Sequence, residues 1–223
     1  MADDSSAVTA EYAEIFRASR PEKDLATQVG AVLAGLHPDA EPVVDLGAGT
    51  GVGTIGLAGV LPESNVFAVE RSRAMRSILL ARLALRPDLH ERVTVIPHDV
   101  FEAELPDRWG AAIAVHLVCQ LEPTERRRLW ALLATRLDES GVAVIDQHFG
   151  LGSTATVAQR LSAEVRIGEN TYQRWFESEP IDPCEGAHSK HLPSRAQWPG
   201  RRRVGVRKRP LGRADTGGAR GNC

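Results

Sequence analysis

The sequence predicts an α/β protein whose core is a doubly wound, mostly parallel sheet with helices on both faces. Five short segments carry almost no polar positions, as expected of strands that helices cover on both sides; they are 42–46, 65–69, 92–96, 111–118 and 142–146. Between them, apolar residues recur with helical spacing at 52–60, 72–86 and 123–138. Repeated alternation of strand and helix is typical of a parallel sheet.

Local signals refine these elements. Ser72 is expected to cap the helix that follows it, and Gly141 is expected to mark the end of the helix over 123–138. Before the first strand, residues 6–19 and a segment after Pro21 are predicted to be helical. After residue 150 the periodicity weakens: residues 154–163 are compatible with a helix, and the stretches "AEVRI" and "TYQRWFE" around "GEN" with a hairpin.

The 223 residues are enough for one full domain with an appendage. We expect an N-terminal helical cap over 1–38, the α/β domain over 39–182, and a basic tail over 183–223. The tail holds ten Lys and Arg residues against two acidic ones and has no periodic apolar face, so we expect it to be disordered.

Several classes of protein are disfavoured by composition. No apolar run approaches the ~18 residues of a membrane span, and the start "MADDSSAVTAEY" is acidic where a signal peptide is basic and then apolar. We therefore expect a soluble, cytoplasmic protein without membrane contact. The three cysteines have no metal-like spacing, so neither a disulfide framework nor a metal site is expected.

The first predicted strand runs into a glycine-rich loop, "VVDLGAGTGVG", at residues 43–53. Glycines at the carboxyl end of a parallel strand allow a ligand to approach the backbone closely. A dinucleotide fingerprint needs glycines at its first, third and sixth positions. The sixth position is Val52 when counted from Gly47 and Thr54 when counted from Gly49, so this fingerprint fails. The phosphate-loop pattern also fails, because no Gly-Lys-Ser/Thr follows.

The stretch from Asp45 to Gly51 resembles the first motif of class I S-adenosylmethionine-dependent methyltransferases. Three further stretches follow in the family's order: "VERSRAM" with Glu70, "PHDVF" with Asp99, and "AVHLVCQLEP" after the fourth strand. The resemblance covers about residues 10–148 and implies a Rossmann-like fold. The family closes its sheet with an antiparallel pair of strands, for which this chain supplies at most one weak hairpin, so we expect a sheet that is incomplete at its C-terminal strands.

The resemblance also implies roles for individual residues with S-adenosylmethionine as cofactor. Glu70 would accept hydrogen bonds from both ribose hydroxyls, and Asp99, beside the Val100 backbone, would bind the adenine amino group. Met75 would lie against the adenine, although it also fits the apolar face of its own helix. The full set of cofactor-binding candidates is Asp45, Gly47, Ala48, Gly49, Gly51, Glu70, Arg71, Met75, Asp99, Val100, His116 and Arg20.

The catalytic candidates are His116 and His148, which follow the fourth and fifth strands. A general base is needed only if the methyl acceptor must lose a proton, and an imidazole is suited to take it. The alternative for both is a polar residue at a strand end without a catalytic role. A helix before the core lines the pocket in methyltransferases that this chain resembles, so Tyr12 and Phe16 are candidate substrate contacts. Gln120, after the fourth strand, is a further candidate polar group in the pocket.

The favoured function is methyl transfer to a small organic acceptor such as a specialised metabolite. The "PPY"-type signature of amino-group methylation in DNA is absent after the fourth strand, and Cys119 has no adjacent proline. Two alternatives remain open: an RNA methyltransferase that uses the basic tail cluster "RRRVGVRKR", and a non-catalytic protein that binds S-adenosylmethionine. The tail is also compatible with translation of a GC-rich gene out of frame, which translating the other two frames would test.

Overall fold

A computed structural model describes residues 3–17, 25–36, 39–146 and 157–178. Five parallel strands form one sheet in the order β3-β2-β1-β4-β5. The strands are β1 (Val43–Leu46), β2 (Val66–Val69), β3 (Val93–Ile96), β4 (Trp109–Ala114) and β5 (Leu137–Ile145). The α-helices are α1 (Asp3–Ile15), α2 (Leu25–Leu36), α3 (Val52–Val60), α4 (Arg73–Ala84) and α5 (Pro123–Arg136). The predicted parallel α/β sheet is confirmed.

The order of the strands indicates where a ligand site is expected. The chain adds β2 and β3 on one side of β1 and then crosses to the other side for β4 and β5, so the order reverses between β1 and β4. β1 pairs with both neighbours, Val43 with Val66 of β2 and with Ala111 of β4. In open α/β sheets the ligand crevice lies at the carboxyl ends of the strands at this reversal.

Both faces of the sheet are covered by apolar side chains, as the strand composition predicts. Because successive strand residues point to opposite faces, Val43 joins one core with Leu57 of α3, and Val44 joins the other with Leu129 of α5. Both valines are fully buried. α1 is tied to the domain by a salt bridge from Glu14 to Arg82 of α4.

The helix signals give one confirmation and one correction. The Ser72 hydroxyl accepts a hydrogen bond from the Met75 N–H at 3.3 Å, which confirms the predicted cap. Gly141 does not end α5, however: the helix stops at Arg136, and Gly141 lies within β5. The pairing of β4 with β5 is irregular there, and a Cβ on Gly141 would stand 3.0 Å from the Trp109 carbonyl oxygen. The same Cβ would stand 2.8 Å from the Asp138 backbone nitrogen, so the glycine allows a close approach both to β4 and to the start of β5.

The segment after the fifth strand also differs from expectation. Of the predicted helical residues 154–163, those that the structure describes, 157–163, belong to a strand: β6 runs from Val157 to Ile167 and pairs antiparallel with β7 (Asn170–Ser178). The predicted hairpin around "GEN" is confirmed and is longer than expected, because cross-strand pairing continues beyond the predicted stretches to Arg160 with Phe176 and Val157 with Ser178. Within the described segments this hairpin is a separate sheet, and no antiparallel strand pairs with β5.

Several predicted features lie outside the described residues. They are Arg20, Pro21, His148 and the basic tail over 183–223. Among the helices that are described, none has both the length and the apolar character required to cross a membrane.

Candidate functional site

The glycine loop leaves β1 in a conformation that favours glycine. Gly47, Gly49 and Gly51 have φ angles of 80°, 57° and 83°, a region that other residues enter only at a cost. The N–H groups of Gly47 and Ala48 both donate to the Val69 carbonyl at 2.9 Å, which holds the loop over the end of β2. Gly51 then begins α3. The loop thus presents its backbone at the carboxyl edge of the sheet.

The loop is closely packed at its two ends and open at its centre. A Cβ on Gly47 would stand 3.3 Å from Cδ1 of Leu117, and one on Gly51 would stand 2.2 Å from Cδ1 of Leu79. A Cβ on Gly49 would meet only the Gly47 carbonyl oxygen, at 3.9 Å. The space for a ligand therefore lies over Gly49, where a side chain would otherwise project.

Glu70 joins this loop to the turn between β2 and α4. Its Oε2 accepts a hydrogen bond from the Gly49 N–H at 2.9 Å, and its Oε1 accepts one from the Ser72 N–H at 2.6 Å. An ionised carboxylate offers about four acceptor positions. Backbone N–H groups use two of these acceptor positions, so each carboxylate oxygen keeps one acceptor position for a donor in the crevice. This geometry fits a pair of adjacent hydroxyl groups, as on a ribose.

Arg76 of α4 supports the same turn, and the sequence analysis did not single it out. Its guanidinium donates to the carbonyl oxygens of Glu70 at 2.8 Å and Arg71 at 2.6 Å. These charge-assisted bonds fix the backbone from which the Glu70 side chain projects. Its position five and six residues beyond these two carbonyls is an ordinary feature of a helix start, so no sequence signal distinguished it.

Asp99 lies at the end of β3, next along the crevice. Its Oδ1 accepts from the Phe101 N–H at 3.1 Å, and its Oδ2 accepts from Arg71 at 3.1 Å. Arg71 is exposed, whereas Val100 is buried in the core between the sheet and α5. The structure therefore holds the Asp99 carboxylate in a fixed orientation at the sheet edge, with acceptor capacity left for an amino group.

Asp45, in β1 before the loop, is almost completely buried, with 3% of its surface exposed. Its Oδ2 accepts a hydrogen bond from the Thr54 hydroxyl at 2.6 Å, which ties β1 to α3 under the loop. Burial raises the pKa of the Asp45 carboxyl to about 6, the Thr54 bond opposes that rise, and the charge of Glu70 adds to it. Ionisation of Asp45 near neutral pH therefore lowers the free energy of unfolding.

We expect Asp45→Asn to stabilise the free protein in a pH-dependent way. The pKa of Asp45 is higher in the folded chain than in the unfolded chain. Its protonated carboxyl therefore contributes fully to the stability of the fold below about pH 4, and this contribution is lost as the pH rises through 6. The variant, which keeps an oxygen for Thr54, should gain up to about 3 kcal/mol at pH 8, from about two pKa units, and little at pH 4. Urea unfolding at both pH values measures this; an equal change at both would contradict the assignment.

His116 follows β4 and is held by an acid that the sequence analysis did not name, Asp146 at the end of β5. The His116 N–H donates to Asp146 Oδ1 at 2.6 Å, and its Nδ1 lies 3.1 Å from Asp146 Oδ2. Gln120 donates from its side-chain amide to the His116 carbonyl at 2.5 Å. The available signal was an acid directly after an apolar strand, the same pattern that identified Glu70.

The predicted substrate contacts Tyr12 of α1 and Phe16, directly after α1, have different surroundings. Phe16 is fully buried, its ring centroid is 5.4 Å from that of Tyr12, and the Arg174 guanidinium of β7 lies 5.8 Å from it. Tyr12 is half-buried. Phe16 therefore packs as a core residue in this structure, and the substrate roles of both remain predictions. In the described ranges, no group of three His, Cys, Asp or Glu side chains could hold a metal ion.

Comparison with known proteins identifies the fold. No protein-family model and no curated protein matches the sequence. The chain is similar to the solved structure of the CcbJ methyltransferase from Streptomyces caelestis, with a TM-score of 0.57, 21% identity, and coverage of 72% of this chain and 67% of that one. It is also similar to S-adenosylmethionine-bound CalS10, an amino pentose methyltransferase from Micromonospora echinaspora, with a TM-score of 0.59, 22% identity, and coverage of 74% of this chain and 66% of that one.

A third similar structure is the sugar N-methyltransferase KedS8 from a Streptoalloteichus species, with a TM-score of 0.56, 24% identity, and coverage of 70% of this chain and 60% of that one. This chain thus spans about two thirds of the length of these structures or slightly less. Together with the strand order, the similarities show that the chain has the Rossmann-like fold of class I methyltransferases.

Proposed function

We propose that the protein transfers a methyl group from S-adenosylmethionine to a small organic acceptor. One observation carries this proposal: the Glu70 carboxylate bridges the open centre of the glycine loop and the turn after β2 while keeping an acceptor position on each oxygen. A nucleoside with two free ribose hydroxyls matches that arrangement. Methyltransferases with the same fold, of which CalS10 is described as binding S-adenosylmethionine, support the choice of nucleoside.

The described residues would divide the cofactor among them. Glu70 would hold the ribose, Asp99 the adenine amino group, and the loop around Gly49 the methionine portion, with Asp45 supporting the loop from below. The bound cofactor supplies an electrophilic methyl group on a sulfonium sulfur. What remains for the protein is to orient the acceptor in line with that methyl group and to exclude water.

The acceptors of two structurally similar methyltransferases support a small acceptor for this protein. CalS10 is an amino pentose methyltransferase and KedS8 a sugar N-methyltransferase, so we propose a metabolite of comparable size, methylated in the cytoplasm. RNA is the alternative acceptor, through the basic tail. The two differ in what would contact the acceptor: groups in the crevice for a metabolite, and cationic side chains outside it for RNA.

The acceptor class is tested by following the methyl group. The full chain is incubated with methyl-labelled S-adenosylmethionine and an extract of the source organism, and labelled products are separated by size and identified by mass spectrometry. Label in small molecules, absent with the Glu70→Ala variant, is the expected result. Label in RNA would replace the small acceptor, and bound cofactor without any labelled product would indicate a non-catalytic binding protein.

A further inference from the structure

The outer edge of β5 has no neighbouring strand among the described residues, although its sequence suits a strand with neighbours on both sides. β5 is the last strand in the sheet order, and within the described segments neither β6 nor β7 pairs with it. We propose that this edge binds the same edge of a second copy of the chain, so that two sheets join through an antiparallel pair of β5 strands.

The direction of the backbone groups at this edge follows from the pairing with β4. The Asp146 N–H donates to the Ala114 carbonyl oxygen of β4 at 3.4 Å, so it points into the sheet. Because alternate residues of a strand direct their backbone N–H and C=O groups to the same side, Val144 also points toward β4, whereas Ala143 and Ile145 point outward. Such outward groups on an edge strand are a template for another strand.

The two edges of the sheet differ in how they are protected from further pairing. Natural edge strands are protected by charged residues, by proline or by bulges. The β3 edge has Arg92 directly before it and Pro97 directly after it. Beyond its irregular start, β5 pairs regularly over residues 142–145, which read VAVI and include neither a charge nor a proline. Of the two edges, the β5 edge is therefore the one suited to a further strand.

The helix on one face of β5 exposes an apolar side chain beside this edge. α5 packs on the sheet through Leu129 and Leu133, and the Arg128 guanidinium lies over the ring of Phe101, which follows the opposite edge strand β3. Successive residues of an α-helix are about 100° apart, so Trp130 lies on the flank opposite Arg128, which is the β5 side. Its side chain is 46% exposed.

The helix on the other face has the same property. α2 packs on the sheet through Leu33 and contacts both α3 and β5. Gly30 of α2 faces Val60 of α3. Val32, two residues further along the helix, therefore points away from α3 and toward the β5 side, where it is 49% exposed. An apolar surface thus runs from Trp130 across the edge of β5 to Val32.

A second copy of the chain matches this surface. The longest segments outside the described ranges have no strand pattern in their sequence: residues 147–156 connect β5 to β6, and residues 179–223 contain five prolines and seven glycines without an alternating apolar run. A twofold axis perpendicular to the sheet makes the two β5 strands antiparallel and keeps equivalent helices on the same face. Ala143 of one copy then exchanges both backbone hydrogen bonds with Ile145 of the other, and the flanking helices of the second copy cover Trp130 and Val32.

The pairing leaves the glycine-loop crevices apart. Because the two β5 strands run in opposite directions, the carboxyl ends of the two sheets lie at opposite ends of the dimer. The dimer is therefore independent of the proposed methyl transfer, and it is tested without cofactor.

Sedimentation velocity of the full chain over a range of micromolar concentrations tests the dimer, and we expect a monomer–dimer equilibrium. Ala143→Pro removes an outward N–H, which an edge strand tolerates, and Trp130→Arg places a charge in the interface. Each should raise the dissociation constant of the dimer by roughly tenfold or more. The matched controls are Val95→Pro, at an outward position of β3, and Leu85→Arg, at a residue that follows α4 and is 82% exposed. Both should dimerise like the wild type.

Amide hydrogen exchange followed by NMR tests which edge is used. We expect exchange of the Ala143 and Ile145 N–H groups to slow as the protein concentration rises. Circular dichroism verifies that the variants fold, and if Ala143→Pro does not fold, Trp130→Arg decides. A monomeric wild type would overturn the proposal: unprotected N–H groups would then show an open edge, and protected ones would show that the chain covers its own edge. A dimer that no folded interface variant weakens would overturn it equally.

Discussion

Glu70→Ala is expected to weaken binding of S-adenosylmethionine by about two to four orders of magnitude. The alanine removes both acceptor positions proposed for the ribose hydroxyls, and a hydrogen bond to a charged group contributes about 1.5–3 kcal/mol. It also releases the Gly49 and Ser72 N–H groups, which the carboxylate holds at 2.9 and 2.6 Å. Isothermal titration calorimetry of both proteins measures the change in dissociation constant.

Two further variants make this result specific. Glu70→Gln preserves size but turns an amide N–H₂ toward either the Gly49 or the Ser72 N–H, so it should also bind poorly. Glu63→Ala removes an exposed acid that precedes β2 at the opposite end of the same strand, and it should bind like the wild type. A wild-type dissociation constant for Glu70→Ala would refute the ribose assignment.

Gly51→Ala is expected to lower the free energy of unfolding by about 2–5 kcal/mol. The φ of 83° contributes backbone strain of about 1–2 kcal/mol. A new Cβ would stand 2.2 Å from Cδ1 and 3.2 Å from Cβ of the fully buried Leu79, and such overpacking costs about 1–3 kcal/mol. Urea unfolding measures the loss.

A double-mutant cycle separates the two causes. A Leu79→Ala background removes the 2.2 Å contact and leaves only the 3.2 Å approach to the Cβ of residue 79, so adding Gly51→Ala should cost little more than the backbone part. The control is Gly59→Ala in the same helix, α3, where an added Cβ meets no atom within 4 Å; it should stabilise the helix by about 0.5–1 kcal/mol. An equal cost of Gly51→Ala in both backgrounds would show that Leu79 does not confine the loop.

The elements that the sequence predicted well are those determined by local pattern. α3 begins and ends at the predicted residues, 52 and 60, because Gly51 caps its start and Pro62 disfavours a helical conformation of Leu61. The central strands β1 and β4 are buried along their whole length, as their almost entirely apolar sequences predict. The carboxylates Glu70 and Asp99 could be found because each follows an apolar strand, and parallel strands end at one edge of the sheet.

The features that the sequence analysis missed depend on partners distant in the chain. Gly141 resembles a helix stop, and its close approach to the Trp109 carbonyl of β4 and to the Asp138 backbone explains its place within β5. Residues 157–163, the first part of β6, fit a helical pattern in the sequence, and they form a strand because β7 pairs with them. His116 and Asp146 are thirty residues apart in the chain. They are in contact because β4 and β5 are neighbours in the sheet, and residue spacing in the sequence does not specify strand order.

Titration of the wild-type chain with S-adenosylmethionine in a calorimeter tests the central claim most directly. The site at the glycine loop predicts saturable binding with one cofactor per chain, loss of that binding in Glu70→Ala, and an unfolding temperature that rises with cofactor concentration, because a ligand that binds only the folded state stabilises it. No heat of binding and no thermal stabilisation at millimolar cofactor would contradict the assignment of the crevice as a whole.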